Sequence, residues 1–460
     1  MAEQSTDGRA STLAGGVRVT QDNASGMTLL PLEYPPDRDE QSPVVIHRDM
    51  VRLTLDRLKH MTDRKAVPAE PVEPTTVADT LLHDACREGA SDIHLDPRRE
   101  GAMVRFRING LLYDVAELLP EQAQRLVNQI KTESNIDPVH AFHPVEGRWR
   151  HELEGRHLDM RVTCVPSISG EKLTIRVLDP KRIGHQLHHL GFCDEHRDLV
   201  QQWTENADGL FLTVGPTGGG KTTTLYALLH RFRDGAHSVV TIEDPVEYRL
   251  DGLTQVQVDM RHDLTFATGI RSMLRLDPDY VMIGEVRDAA SAEAAVNAAI
   301  TGRVVMSSIH CSDAASSVTA LRNWGLNDHQ IAASLRVVVA QRLVRTLNPE
   351  TRVECEPDES DRRWLAAVKR EAPQQCFKRD PEANRAGLDG AGRTGVFEVL
   401  RMEDNDLEMI LGGAGQRQLR RSLAEREHRT LVDDGLEKVQ RGQISLADLR
   451  QAVGTPMFSA

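Results

Sequence analysis

The run Gly215-Pro216-Thr217-Gly218-Gly219-Gly220-Lys221-Thr222 restricts the possible folds of this chain more than any other stretch. It fits the pattern G-x-x-x-x-G-K-[ST]. It also lies between an apolar run, Leu210–Val214, that reads as a strand and a helical pattern with Leu225, Leu228 and Leu229 on one side. A glycine-rich turn from strand to helix lets backbone N–H groups curl around phosphate oxygens, and the helix N-terminus adds a favourable dipole. Lys221 can then neutralise β- and γ-phosphate charge, while the Thr222 hydroxyl can ligate Mg²⁺. Gly215, Pro216, Thr217, Gly218, Gly219, Gly220, Lys221, Thr222 and Thr223 are therefore expected to bind a nucleotide.

The flanking pattern agrees. Ser238–Ile242, Tyr280–Ile283 and Val304–Ser308 are short apolar runs separated by helical stretches, the βαβ signature of a parallel sheet. Polar residues follow each run, at the edge where open α/β sheets bind ligands. After the first comes Glu243-Asp244, and a carboxylate there can polarise an attacking water or hold Mg²⁺. After the second comes Gly284-Glu285-Val286-Arg287-Asp288. Many P-loop enzymes place an Asp on Mg²⁺ here, so Glu285 would reach the metal with a longer side chain. After the third comes His310, placed to touch the γ-phosphate region and report its loss. Further on, Arg342 and Arg345 are two cations that either stabilise the domain or touch the nucleotide.

Composition narrows the class. A net charge of −13 speaks against a sequence-independent nucleic-acid binder, so no nucleic-acid partner is expected. No run approaches the ~20 apolar residues of a membrane helix, and the start lacks a secretory pattern. The six cysteines form no CxxC pair and read as reduced cytosolic thiols. Residues 1–74 are expected to be mostly unstructured, with one amphipathic helix over Asp49–Arg64 and a Pro-rich linker. Residues 75–185 read as a small α+β domain. There Val104, Phe106 and Ile108, then Leu158, Met160 and Val162, then Leu173, Ile175 and Val177 alternate with polar residues, mostly arginines. Period 2 puts the apolar set on a core and Arg105, Arg107, Arg161 and Arg176 on the opposite face. Residues 186–347 carry the βαβ core, and 348–460 read as mainly helical.

Taken together, these residues resemble the secretion ATPase superfamily, specifically the type II secretion and type IV pilus assembly ATPases. The resemblance covers about residues 75 to 455. Residues 215–229 are similar to that family's Walker A, with Gly219 where Ser is usual. Residues 241–247 resemble its Asp box, and the strand ending Gly284-Glu285 resembles its Walker B. Residues 306–314 resemble its His box, with Cys311 and Ser312 in place of Thr and Asn. Ser91-Asp92-Ile93-His94 and Gly170-Glu171-Lys172 resemble its N-terminal regulatory domain, and Gly392–Val399 its C-terminal domain.

The resemblance implies a RecA-like P-loop domain preceded by a PAS-like α+β domain. It also implies a hexameric, cytoplasmic motor at the inner face of the inner membrane. Such a motor hydrolyses ATP with Mg²⁺ and works on a platform protein that assembles pilin or pseudopilin fibres. By resemblance, Glu243 activates water, Glu285 and Thr222 hold Mg²⁺, and Arg161 and Arg176 complete the nucleotide site.

The sequence departs from the family in two places. Assembly members usually carry two CxxC pairs where this chain keeps only Cys355 and Cys376, so no zinc is expected. Only about 70 residues precede the arginine-bearing domain, so docking to the apparatus is expected to differ. Rival readings are a retraction or DNA-transfer motor of the same superfamily and an inactive, nucleotide-binding ring subunit. The insert at 350–393 and the Gly-Arg-Thr-Gly segment favour assembly, and intact Lys221, Thr222, Glu243 and Glu285 favour activity.

Overall fold

In the computed structural model, residues 17–21, 27–31, 77–139, 142–153, 156–178, 187–381 and 392–454 are described. The expected helix over Asp49–Arg64 and the Pro-rich linker lie outside them. The chain divides into two compact units. One comprises Met1–Asp179 with Pro381–Leu388, and the other Pro180–Asp380 with Asp389–Ala460.

In the first unit, β1 (Val17–Gln21) and β2 (Met27–Pro31) pair antiparallel. Within residues 1–74, expected to be mostly unstructured, the described residues are these two strands. The alternation of Val17 and Val19 with Arg18 and Thr20 is a strand pattern inside a polar composition. A helix over Val77–Arg87 then leads into β3 (Ala90–Arg98), β4 (Gly101–Ile108) and β5 (Leu111–Leu118). The helix Pro120–Glu133 intervenes before β6 (Val145–Leu153), β7 (Arg156–Ser167) and β8 (Gly170–Leu178). These six strands form one antiparallel sheet in the order β5-β4-β3-β8-β7-β6. The predicted alternation holds: Val104, Phe106, Leu158, Met160, Val162, Leu173 and Ile175 are buried in one core with Leu82 and Ile130 of the two helices. Each such side chain contributes roughly 1.5–3 kcal/mol on burial. Glu171, within the Gly170-Glu171-Lys172 segment, pairs with fully buried Lys131 at 2.6 Å. Removing one partner of such a pair costs about 3–5 kcal/mol.

The second unit is built on a seven-stranded sheet. Its strands are β9 (Leu210–Val214), β10 (Val239–Glu243), β11 (Thr254–Gln257), β12 (Tyr280–Ile283), β13 (Val304–Ile309), β14 (Leu335–Arg345) and, after the short pair β15 (Val353–Cys355) and β16 (Cys376–Lys378), β17 (Arg393–Arg401). The order is β11-β10-β12-β13-β9-β14-β17, parallel throughout except for β17. β9, β10 and β13 are buried at every residue, as a sheet covered on both faces requires. Leu212, Ile242 and Ile283 pack into one layer, and Phe211, Met282 and Met306 into the other.

The stretch from 348 onward, read from sequence as mainly helical, supplies β17 to this sheet. Val396, Phe397, Val399 and Leu400 are all buried there. With residues on both faces buried, Glu398 included, the run carries no period to separate strand from buried helix. The helices Asp404–Leu411, Gln416–Glu425, Leu431–Gln440 and Leu446–Val453 follow, as expected.

Candidate active site

β9 ends in the glycine-rich turn. Gly218 and Gly220 adopt φ of +75° and +87°, the left-handed region where only glycine fits without strain, and the helix Lys221–Phe232 starts immediately after. Pro216, Thr217 and Gly218 are exposed, so the backbone of the turn faces outward. Thr222 is exposed in the first helical turn, and Thr223 is half-buried. Lys221 is buried and folds back along the turn. Its Nζ donates to the carbonyls of Gly215 at 2.9 Å and Pro216 at 3.0 Å and stands 3.5 Å from His310 Nδ1. Burial lowers the pKa of Lys221, and the Glu285 carboxylate opposes that shift.

His310 leaves the end of β13 and bridges two partners. Its Nε2 meets Glu285 Oε1 at 2.8 Å, so the tautomer with the proton on Nε2 leaves the Nδ1 lone pair facing Lys221. Glu285 Oε2 accepts from Arg287 Nε at 3.1 Å, and Arg287 Nη1 donates to Asp244 at 2.9 Å. Thus the ends of β9, β13, β12 and β10 are joined by one line: Lys221, His310, Glu285, Arg287, Asp244. Ser308 Oγ, donating to the Gly284 carbonyl at 2.8 Å, fixes the backbone that carries Glu285.

Glu243 is placed differently. Only 2% exposed, it accepts from Tyr226 Oη at 2.5 Å, Thr241 Oγ1 at 2.7 Å and Gln255 Nε2 at 3.2 Å. Burial raises its pKa, and those hydrogen bonds oppose the rise. The same burial, followed by the charge of Glu243, raises the Tyr226 phenol. Gly284 lies directly beside it, where a Cβ would stand 3.4 Å from Glu243 Cα.

Two of the supporting side chains carry no sequence signal of their own. Gln341, buried in β14, accepts from Thr224 Oγ1 at 2.9 Å and donates to the Gly219 carbonyl at 2.8 Å, bracing the turn against its helix. Tyr226 is one aromatic inside an apolar helix pattern. Only the adjacency of β14 and β9 in the sheet brings Gln341 to the loop. Of the two cations near it, Arg342 donates to the Ser312 carbonyl at 2.6 Å, and Arg345 to Asp448 at 2.9 Å.

Arg161 and Arg176 belong to the first unit, where they are register partners on β7 and β8. They form part of a row across the sheet: Arg148, Arg161, Arg176, Asp92 and Arg107 stand opposite one another in turn. Asp92 accepts from Arg176 Nε at 3.1 Å, so the Ser91-Asp92-Ile93-His94 segment serves to orient this arginine. The structure thus brings together Lys221, His310 and Glu285 in one unit and the two arginines in the other.

The sequence profile described as "Type II/IV secretion system protein" matches residues 66–451. The type II secretion system ATPase E of Vibrio cholerae is 37% identical over 81% of this chain and 73% of its own length. The putative type II secretion system protein E of Escherichia coli is 33% identical over 83% of this chain and 77% of its own. Among solved structures, the Legionella pneumophila ATPase DotB aligns with a TM-score of 0.60 at 20% identity, covering 83% of this chain and 97% of DotB. The pilus retraction motor PilT aligns with a TM-score of 0.56 at 23% identity, covering 82% and 96%. These two likenesses carry the fold.

Proposed function

The chain belongs to the type II/IV secretion system protein family, as one of its ATPases, and from that membership we propose that it is a hexameric motor that turns over ATP·Mg²⁺ to drive assembly of pilin-like fibres. The observation that carries the reading is the line from Lys221 through His310 to Glu285, set at the sheet edge beside an open glycine-rich turn.

When a nucleotide enters, its β- and γ-phosphates take the donors of Lys221 that now serve the Gly215 and Pro216 carbonyls. Mg²⁺, held by Thr222 and Glu285, would supply charge neutralisation between the β- and γ-phosphates. The donor set fits such a hard cation: an exposed hydroxyl and a carboxylate that is 24% exposed. Each Glu285 oxygen already has one partner, so the His310 and Arg287 contacts orient the carboxylate. Glu243 is assigned to positioning or deprotonating the attacking water, and burial, which holds its pKa above the usual carboxylate value, makes it a stronger proton acceptor. Arg161 and Arg176 are assigned to stabilising transition-state charge, on the strength of their shared row and the family resemblance.

Among the described residues no helix is long and apolar enough to cross a membrane. Attachment at the cytoplasmic face of the inner membrane is assigned to a platform partner. Glu243→Gln and Glu285→Gln test the roles. The first should keep nucleotide affinity while losing turnover, and the second should lose both Mg²⁺ dependence and affinity. Normal turnover in Glu243→Gln with loss in Glu285→Gln would reverse the two roles. Bound nucleotide with no turnover in the parent chain would favour an inactive scaffold.

A further inference from the structure

Away from the phosphate-binding turn, but within the same unit, the start of the helix Asp194–Glu205 meets the helix Leu431–Gln440. Cys193 caps the first helix and His196 follows one turn later, with both side chains directed at Asp434 of the second. The Cys193 Sγ, a His196 ring nitrogen and an Asp434 oxygen all lie within 4.8 Å of one another. His196 is 1% exposed, yet among the described residues neither of its ring nitrogens has a hydrogen-bond partner. Asp434 is fully buried, and its two oxygens are treated unequally. Oδ2 accepts from the Phe397 backbone N–H at 2.9 Å and from Lys438, whereas among the described residues Oδ1 has only the Arg429 guanidinium at 3.5 Å. Buried polar groups are ordinarily satisfied, and a buried imidazole with both nitrogens unpartnered among the described residues, facing a thiol and a carboxylate at ligand spacing, is a specific departure from that rule.

We propose that Cys193, His196 and Asp434 bind a divalent transition metal of the zinc class. Thiolate sulfur, imidazole nitrogen and carboxylate oxygen are the donors such an ion takes, and three protein ligands leave one position for water. A cavity of about 440 Å³ touches Cys193 and Asp434, and its lining also carries Glu437, Lys438, Arg352, Arg393 and Arg441. The two nearby cations are already engaged: Arg429 pairs with Glu437 and lies 3.5 Å from Asp434 Oδ1, and Lys438 pairs with Asp434 Oδ2. Binding releases the thiol proton to solvent. This site is separate from the cysteine insert on which the expectation of no zinc was based. It would staple the two helices together.

The test uses the full chain, stripped with a chelator, kept reduced and titrated with Co²⁺. One equivalent should bind with a thiolate-to-cobalt charge-transfer band, which added Zn²⁺ abolishes, and zinc should raise Tm. Cys193→Ser should lose the band while keeping parental ATP turnover, since Ser is a favoured residue at a helix N-cap. His196→Ala should weaken binding beyond the ~10–100-fold typical of outer-shell changes. The Cys355→Ser/Cys376→Ser double variant should leave the band intact. Absence of the band in the parent, its survival in Cys193→Ser, or its loss only in the double variant would each overturn the assignment.

Discussion

Lys221 and Glu398 show how single side chains in this chain combine burial with charge. Glu398, on β17, is buried, accepts from the Ala314 backbone N–H at 3.2 Å, and lies 4.0 Å from His428. Burial, then the charge of Asp313, lifts its pKa from 4.5 to about 8. Between these two values the folded chain holds a proton that the unfolded chain has lost. The group's stabilising contribution is therefore complete below about pH 4.5 and is lost as pH rises through about 8. The displacement is worth on the order of a few kcal/mol. Glu398→Gln keeps the acceptor for Ala314 and removes the titration. Its Tm should therefore rise relative to the parent as pH goes from 5 to 8.5, and parallel Tm curves would contradict this. At this scale the sequence displays Lys221, Thr222, Glu285 and His310 because each follows directly on a strand or a glycine run. Gln341 and Tyr226 were hidden because their partners are 117 and 17 residues away and no local period marks them.

The glycine-rich turn is the element on which the site depends. Gly220 sits at φ +87°, and a Cβ there would meet Gln341 Nε2 at 3.1 Å and Leu343 Cγ at 3.3 Å. Gly220→Ala thus combines left-handed strain with pressure on the Gln341 brace. We expect a loss of ~1–3 kcal/mol in stability and at least about tenfold weaker nucleotide binding, the latter equivalent to ~1.4 kcal/mol. Thermal unfolding and nucleotide titration check both, and parental values in the two would contradict the account. The strands flanking this turn were readable from sequence. Leu210–Val214 and Tyr280–Ile283 appear with the expected bounds, and β10 and β13 end one residue later than the pattern suggested. β14 and β17 were not readable as strands. β14 is buried almost throughout and β17 pairs with it across 47 intervening residues, so their identity depends on each other rather than on local pattern.

The whole molecule consists of two units, with the phosphate-binding turn in one and the arginine row in the other. The proposed ring makes a specific prediction. Arg161→Ala and Arg176→Ala should each remain folded and bind nucleotide while losing turnover, by up to ~10³-fold for an arginine acting on transferring phosphate. Mixing Lys221→Ala chains with Arg176→Ala chains distinguishes delivery between chains, which restores activity, from delivery within one chain, which does not. Full activity in both single variants would reduce the row to a solvated face of the sheet.

Steady-state ATP turnover by the purified full chain, measured beside Lys221→Ala, bears most directly on the claim that this is a working motor. The lysine is the one cation that reaches both the turn carbonyls and His310 among the described residues of the line. Its loss should lower turnover by ~10²-fold or more, as removal of one preorganised charge contact does. Equal turnover in the two proteins would contradict the account.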